Sequence, residues 1–332
     1  MTDYRDLADH DQVASLRPVA AAAARQFGLE VASLELVAHA FNTTFAVVGA
    51  QGQRHALRLN TNSVSTAANV VAQQAWQHAI ASETDVRVPD PLRTVEGGWC
   101  AEVDCATFGR PLLVTAATWL DGPDVGDLDP VTARALGRAM ALLHEHARSW
   151  RLPAHGALPR FDTPLFGDGD LLDSVPSPTR EERAVLDAAR AATAQAFAAV
   201  HDGASLQPVH GDLHGGNLKW SREGLAVFDF DDSGLGLPVV DLAVSTFYLR
   251  SGEPEPERAL WEGYADVAPV PAVDPGHFEA LVAARQLLLA NSLLSSTTAE
   301  LRNEAAEYLT VTVDRLRHWL KSGRFTRTVP SR

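Results

Sequence analysis

Lysine is nearly missing from this chain of 332 residues: Lys219 and Lys321 are its only two, although lysine and arginine together number 28. Whatever grips an anion in the first half of the chain therefore cannot be a lysine. Cysteine is equally sparse. Cys100 and Cys105 are too few for a disulfide framework and lack the second pair a structural zinc site needs, so they read as reduced thiols. No apolar run approaches a membrane-spanning length. The start, residues 1–11, is polar and acidic without a basic segment or an apolar core, so no secretory leader is expected and the reading is cytoplasmic. Basic residues are outnumbered by 42 acidic ones, a formal net charge of −14. That balance opposes capture by nucleic acid or an anionic membrane and suits a neutral or cationic partner.

What is present is apolar content, 46% of the residues, with charged ones interspersed at 21%. A globular protein with enough core for two lobes follows, 1–119 and 120–332, as a monomer or homodimer. Residues 12–26 carry apolar positions at helical spacing and stop before Gly28. Short strands follow at 34–40, 44–48 and 55–59, separated by turn-like Asn42-Thr43 and Gly49-Ala50-Gln51-Gly52. A helix at 65–81 ends before Pro89 and Pro91, and two more strands, 99–103 and 112–118, complete a five-stranded antiparallel sheet crossed by one helix. The remainder reads as helices at 129–150, 179–201, 238–250, 257–267, 275–295 and 299–320. It is interrupted by two short strands, 218–220 and 225–228, around Glu223-Gly224. The fold class is α+β.

The densest chemistry sits in and after that interruption. His210-Gly211-Asp212-Leu213-His214-Gly215-Gly216-Asn217 is followed, past the hairpin, by Asp229-Phe230-Asp231-Asp232. Phosphoryl transfer needs an in-line hydroxyl, metal ions across the phosphates and compensation of charge, with little covalent help from protein. Asp212 and Asn217 have the D-x-x-x-x-N spacing of a kinase catalytic loop, and Asp229 has the place of a metal-binding aspartate. Each alone reads as well as a turn cap or a salt-bridged acid. Their order, spacing and intervening hairpin together favour the chemical reading. Gly215 and Gly216 are expected to relax backbone that wraps metal and phosphate.

The string H-G-D-L-H-x-G-N, the following D-F-D-D and Asp241-Leu242-Ala243 resemble the aminoglycoside phosphotransferase and choline kinase superfamily, over almost the whole chain. That resemblance implies a bilobal protein-kinase-like fold, with a hinge at Trp119-Leu120-Asp121-Gly122 and with ATP and Mg²⁺ as cofactors. It implies that Asp212 is the catalytic base or the group that orients the hydroxyl, that Asn217 and Asp229 hold magnesium, and that His210 braces the loop. Asp241 reads as a loop anchor or a group facing substrate. Asp231, Asp232 and His214 are expected behind the metal or toward the substrate.

Where a kinase has lysine on its third strand, this chain has Arg58, which is expected on the α- and β-phosphates. Its usual partner, a glutamate on the following helix, is not obvious: alignment on Trp76 places Gln73 there, which offers no charge and weakens the pairing. The turn 40–44, with Asn42, Thr43 and Thr44, is expected to cover the phosphates, and Trp119 to border the adenine. His144 and His146, two apart on a helix, diverge and read as surface or packing residues. The acceptor is expected to be a small hydroxylated amine, amino acid or sugar. A stress-response protein Ser/Thr kinase and a nucleotide-binding pseudokinase are the competing readings.

Overall fold

A computed structural model describes residues 3–63, 65–173 and 179–329, so the outer ends of both expected lobes, 1–2 and 330–332, lie outside the described residues. Helix α1 (Asp9–Gln26) leads into β1 (Ser33–His39), β2 (Thr43–Val48) and β3 (Arg54–Leu59). Helix α2 (Ala67–Glu83), β4 (Ala101–Cys105) and β5 (Arg110–Thr118) follow. The five strands form one antiparallel sheet in the order β1-β2-β3-β5-β4. Helix α2 starts at Ala67 because Thr66 and Asn69 form a reciprocal capping box. Strand β4 starts two residues later than the hydrophobic pattern predicts, because Thr94 Oγ1 and the Gly98 N–H close a turn just before it.

The rest of the chain supplies α3 (Pro130–Ser149), α4 (Arg180–His201), β6 (Gln207–Val209), β7 (Leu218–Ser221), β8 (Gly224–Val227), β9 (Gly234–Gly236), α5 (Pro238–Leu249), α6 (Glu255–Ala265), α7 (Pro275–Ser295) and α8 (Ala299–Ser322). The architecture is α+β, a five-stranded sheet beside a mostly helical part. Strands β6 and β9 were invisible to periodicity, since three residues are too short to show alternation. They pair antiparallel, Val209 with Gly234, and clamp both ends of the segment that holds Asp212 and Asp229.

Two cores result. Leu16, Val19 and Ala20 of α1 cover one face of the sheet, against Phe45, Leu57, Leu59 and Val114. Helix α2, although it belongs in sequence to the sheet half, buries Trp76 and Ile80 in the larger core with Leu136, Leu242 and Phe230. Among the described residues no helix is long and apolar enough to cross a membrane.

Helices α3 and α6 approach until backbones touch. A Cβ on Gly137 would collide with the Leu260 carbonyl oxygen, and one on Gly263 with the carbonyl of Arg134. Helix α3 carries His144, so this contact helps set the site described below. Alanine has the higher helix propensity by about 1 kcal/mol, yet the clash is with backbone and cannot be relieved by a rotamer. Gly137→Ala and Gly263→Ala are each expected to lose roughly 1–3 kcal/mol in urea unfolding. A rise in stability would contradict this packing.

Candidate active site

A cavity of about 490 Å³ lies between the sheet and the helical part. Its upper wall follows from the pleat. Residues of period two, Thr44, Ala56, Arg58, Thr115 and Ala117, line it, while their neighbours Phe45, Leu57, Val114 and Ala116 turn to the core under α1. Arg58 stands in the ladder between Thr44 and Thr115. The same alternation removes Thr43 from the cavity. It is buried on the opposite face, bonded to His39 Nδ1 at 2.8 Å. Trp119 is also absent from the lining; the Arg54 guanidinium sits 3.9 Å from its ring centroid instead. Asn42 lines the cavity, with Oδ1 accepting from the N–H groups of Asn62 and Ser63 and Nδ2 donating to Asp231 Oδ2 at 2.9 Å.

The lower wall brings Asp212, His214, Asn217, Asp229 and Asp231 together. The buried Asp241 organises them. Its Oδ1 accepts from Gly211 N–H at 2.7 Å, and its Oδ2 from His210 N–H at 2.9 Å and His144 Nε2 at 3.0 Å. Burial alone would raise its pKa, but the bonds from His144 and Gly211 hold it below the ordinary value. Asp241 is therefore an anchor with no face to the cavity. His144 is a buried brace between Asp241 and Tyr264, not a surface residue. His210 donates from Nε2 to the Phe228 carbonyl at 3.0 Å and accepts the Asp212 N–H on Nδ1 at 3.3 Å. Only the neutral ring makes both bonds, and burial lowers its pKa accordingly.

Asp229 takes the left-handed conformation, φ 71°, unusual outside glycine. The turn after it is overdetermined. Phe230 packs edge-on to Trp76, centroids 5.6 Å apart, and Gln73 Nε2 donates to the Asp231 and Ser233 carbonyls at 2.5 and 3.3 Å. Gln73 thus holds this turn rather than Arg58. Gly215 likewise has a different reason from the one expected: its Cα faces the Gly126 carbonyl so closely that any Cβ would collide.

Arg58 forms ion pairs with Asp229 and Asp231, both at 2.6 Å, and its buried Nε has no partner among the described residues. Two carboxylates share one guanidinium. Burial pushes both upward, Arg58 brings Asp229 below its usual range, and Asp231 is left well above. The folded chain around Asp232 and the charges of Asp212 and Asp229 push its carboxyl to about 7, a push tempered by its solvent-exposed side chain.

Asn217 Nδ2 donates to the carbonyl oxygen and to Oδ2 of Asp212, each at 2.9 Å. His214 Nδ1 accepts the Gly216 N–H, its Nε2 lies 3.4 Å from Asp212 Oδ2, and its ring stacks on Tyr248. Asp212 Oδ1 is taken by Arg285 Nη2, which also donates to the Tyr248 hydroxyl at 2.8 Å. Burial would raise the Asp212 carboxyl, but the Arg285 guanidinium and the His214 bond outweigh it and depress the pKa well below the carboxylate range. Arg285 and Tyr248 escaped sequence reasoning. The available signal was a single arginine inside the otherwise apolar run Leu281-Val282-Ala283-Ala284-Arg285 of α7.

The donors present fit a hard divalent cation completed by phosphate oxygens. Asp229 offers a carboxylate, both recorded bonds of Asn217 run through Nδ2 so its amide oxygen is unused, and the buried Oδ1 of Asp231 has no partner among the described residues. No cluster of three or more His, Cys, Asp or Glu side chains able to hold a metal occurs among the described residues.

A sheet part, a helical part and a D-x-x-x-x-N loop facing a second aspartate define a kinase-like phosphotransferase. Residues 33–280 match the model of the phosphotransferase enzyme family, and the chain belongs to that family. A Deinococcus radiodurans protein described only as uncharacterized is 28% identical over 288 residues, 84% of this chain and 81% of its own length. Among solved structures, a microcompartment-associated aminopropanol kinase superposes with a TM-score of 0.71 at 23% identity, covering 89% of this chain and 94% of that one. An amicoumacin kinase in complex with AMP-PNP, Ca²⁺ and Ami gives a TM-score of 0.67 at 16% identity, over 85% of this chain and 88% of that one.

Asp241 contributes stability that is present above the ordinary carboxylate range and is lost as pH falls through its depressed folded pKa. Asp241→Asn leaves His144 and two backbone N–H groups with a weaker acceptor and should cost about 2–4 kcal/mol at neutral pH. The gap to the wild type should narrow on acidification toward pH 3. A gap independent of pH would refute the anchor's ionic character.

Proposed function

We propose that this chain is an ATP- and Mg²⁺-dependent enzyme that transfers the γ-phosphate to a hydroxyl of a small molecule in the cytoplasm. The observation that carries this reading is the convergence of Asp212, Asn217, Asp229 and Arg58 on one cavity wall pair. Residues 1–119 form the lobe for the nucleotide, and residues 120–332 carry the chemistry and the acceptor. Arg58, with an unpartnered buried Nε among the described residues, binds the α- and β-phosphates, and Asn42 and Thr44, which line the cavity, cover them. Asn217 and Asp229 hold magnesium, which when bound supplies charge compensation for the phosphates.

Asp212 aligns the acceptor hydroxyl. Its depressed pKa makes it a weak base, so it orients the O–H and receives the proton only as the new oxygen–phosphorus bond nears completion, in keeping with a loose transition state. The acceptor end is lined by Tyr248, Arg285 and Leu289, and the volume of the whole cavity, about 490 Å³, suits a small molecule. The aminopropanol and amicoumacin kinases of similar fold support a small acceptor. The protein-kinase and pseudokinase alternatives have no comparable observation in their favour.

Transfer of label from ATP to small hydroxylated acceptors, measured beside generic protein substrates, tests the reading; label found only on protein would overturn it. Asp212→Asn should lower kcat by about 10²–10⁴-fold with nucleotide affinity nearly unchanged. Asp229→Ala should in addition abolish the magnesium dependence of nucleotide binding in titration calorimetry. Retention of full turnover by Asp212→Asn would remove that residue from its role.

A further inference from the structure

The acceptor half of the cavity contradicts the whole-chain charge. Resting on the phosphotransferase reading, we infer that the acceptor carries a carboxylate beside its hydroxyl and that Arg285 is the group that binds it. Arg285 rises from the middle of α7 into the cavity and is only 8% exposed. Both of its hydrogen bonds leave from one nitrogen, Nη2, to Asp212 Oδ1 and the Tyr248 hydroxyl. Its buried Nε–H has no partner among the described residues. A buried guanidinium with an unused donor at a cavity wall is an incomplete site, and its planar fork is shaped for a carboxylate.

The surroundings strengthen the positive field. Arg327 lies on the Tyr248 ring, 5.5 Å from its centroid, as does Arg285. Arg315 donates to the Arg327 carbonyl at 2.8 Å and to Gln286 Oε1 at 2.9 Å. Neither Arg315 nor Arg327 pairs with a carboxylate among the described residues; burial raises the pKa of the Tyr308 hydroxyl, and all three guanidiniums pull against that rise. Against them stand Asp212, already bound to Arg285, and the exposed Asp232. A cationic acceptor would find the carboxylate nearest its hydroxyl already neutralised. An anionic one finds a guanidinium with a buried donor that has no partner among the described residues.

The pair also explains how the acceptor reaches Asp212. Without acceptor, Oδ1 is covered by Arg285 and Oδ2 by Asn217 and His214. A substrate carboxylate competes for the guanidinium and draws it from Oδ1. That oxygen is then free to accept the hydroxyl. An alcohol without the acid leaves Asp212 covered, and so does water.

The test is kcat/KM of the full chain with ATP and magnesium on matched acceptors. Short hydroxy acids and hydroxy amino acids are compared with their primary amides and with the alcohols or amino-alcohols lacking the carboxyl. Acids should exceed their amides by roughly ten- to a hundredfold, the worth of a charge-assisted pair. In Arg285→Gln that ratio should collapse toward one, and Arg285→Lys, keeping charge without the fork, should fall between. Thermal stabilisation by nucleotide checks folding of both variants, and the wild-type ratio decides even if neither folds. Transfer that favours amino-alcohols, or an Arg285→Gln loss equal for acids and amides, overturns the inference while leaving the phosphotransferase reading intact. Transfer to no small acceptor at all overturns that reading, and the inference with it.

Discussion

The constraint on which the site depends is the buried carboxylate of Asp241, which must satisfy three donors from two distant parts of the chain. Two are backbone N–H groups of the loop, at His210 and Gly211, and the third is the His144 ring on α3. A carboxylate this deep is tolerable only when paired and hydrogen-bonded, so the loop, the start of α5 and α3 cannot move independently. Tyr264 on the other side of His144 extends the constraint to α6, and the glycine contacts between α3 and α6 keep that helix pair close. The small β6–β9 ladder then fixes the two ends of the loop region. Asp212 and Asp229 inherit their separation from these contacts, with His210 bonded to the backbone of both neighbourhoods.

Charge at the site is arranged by halves. Each half carries one arginine and at least one aspartate that the arginine keeps ionised: Arg58 with Asp229 toward the sheet, Arg285 with Asp212 toward α5 and α7. Both guanidiniums are supported by groups that are themselves fixed, Asn42 through the shared Asp231 and Tyr248 through its own packing. In the proposed reaction these arginines are the preorganised cations of a protein that otherwise carries excess negative charge and has almost no lysine. Net charge describes solubility of the whole molecule, whereas a cavity senses only the groups within a few ångströms.

The elements that periodicity reveals were legible: α1, α2 and the five-stranded sheet, with the helices after residue 120, because each buries one face and so repeats at its own period. The spacing of Asp212, Asn217 and Asp229 was legible because the loop and its hairpin are local. Strands β6 and β9 were not, being too short to alternate. Thr43 was assigned to the cavity from its place in the turn, and the pleat sent it to the other face, a difference of one residue that linear position does not reveal. The partners of Gln73 and His144 could not be read from the sequence, because the turn at Asp231 and the carboxylate of Asp241 are 158 and 97 residues away.

By itself, then, the sequence determined the class of fold, the composition of the loop that carries Asp212 and Asn217, and the scarcity of lysine that leaves arginine as the main cation. Only the tertiary structure decided which arginine meets which aspartate, that Asp241 is an anchor, and that Arg285 enters the cavity. The reason is physical: local spacing governs what one turn or hairpin can assemble, whereas a buried charge is matched by whichever donors packing brings to it, and for Asp212 that donor comes from 73 residues further along the chain.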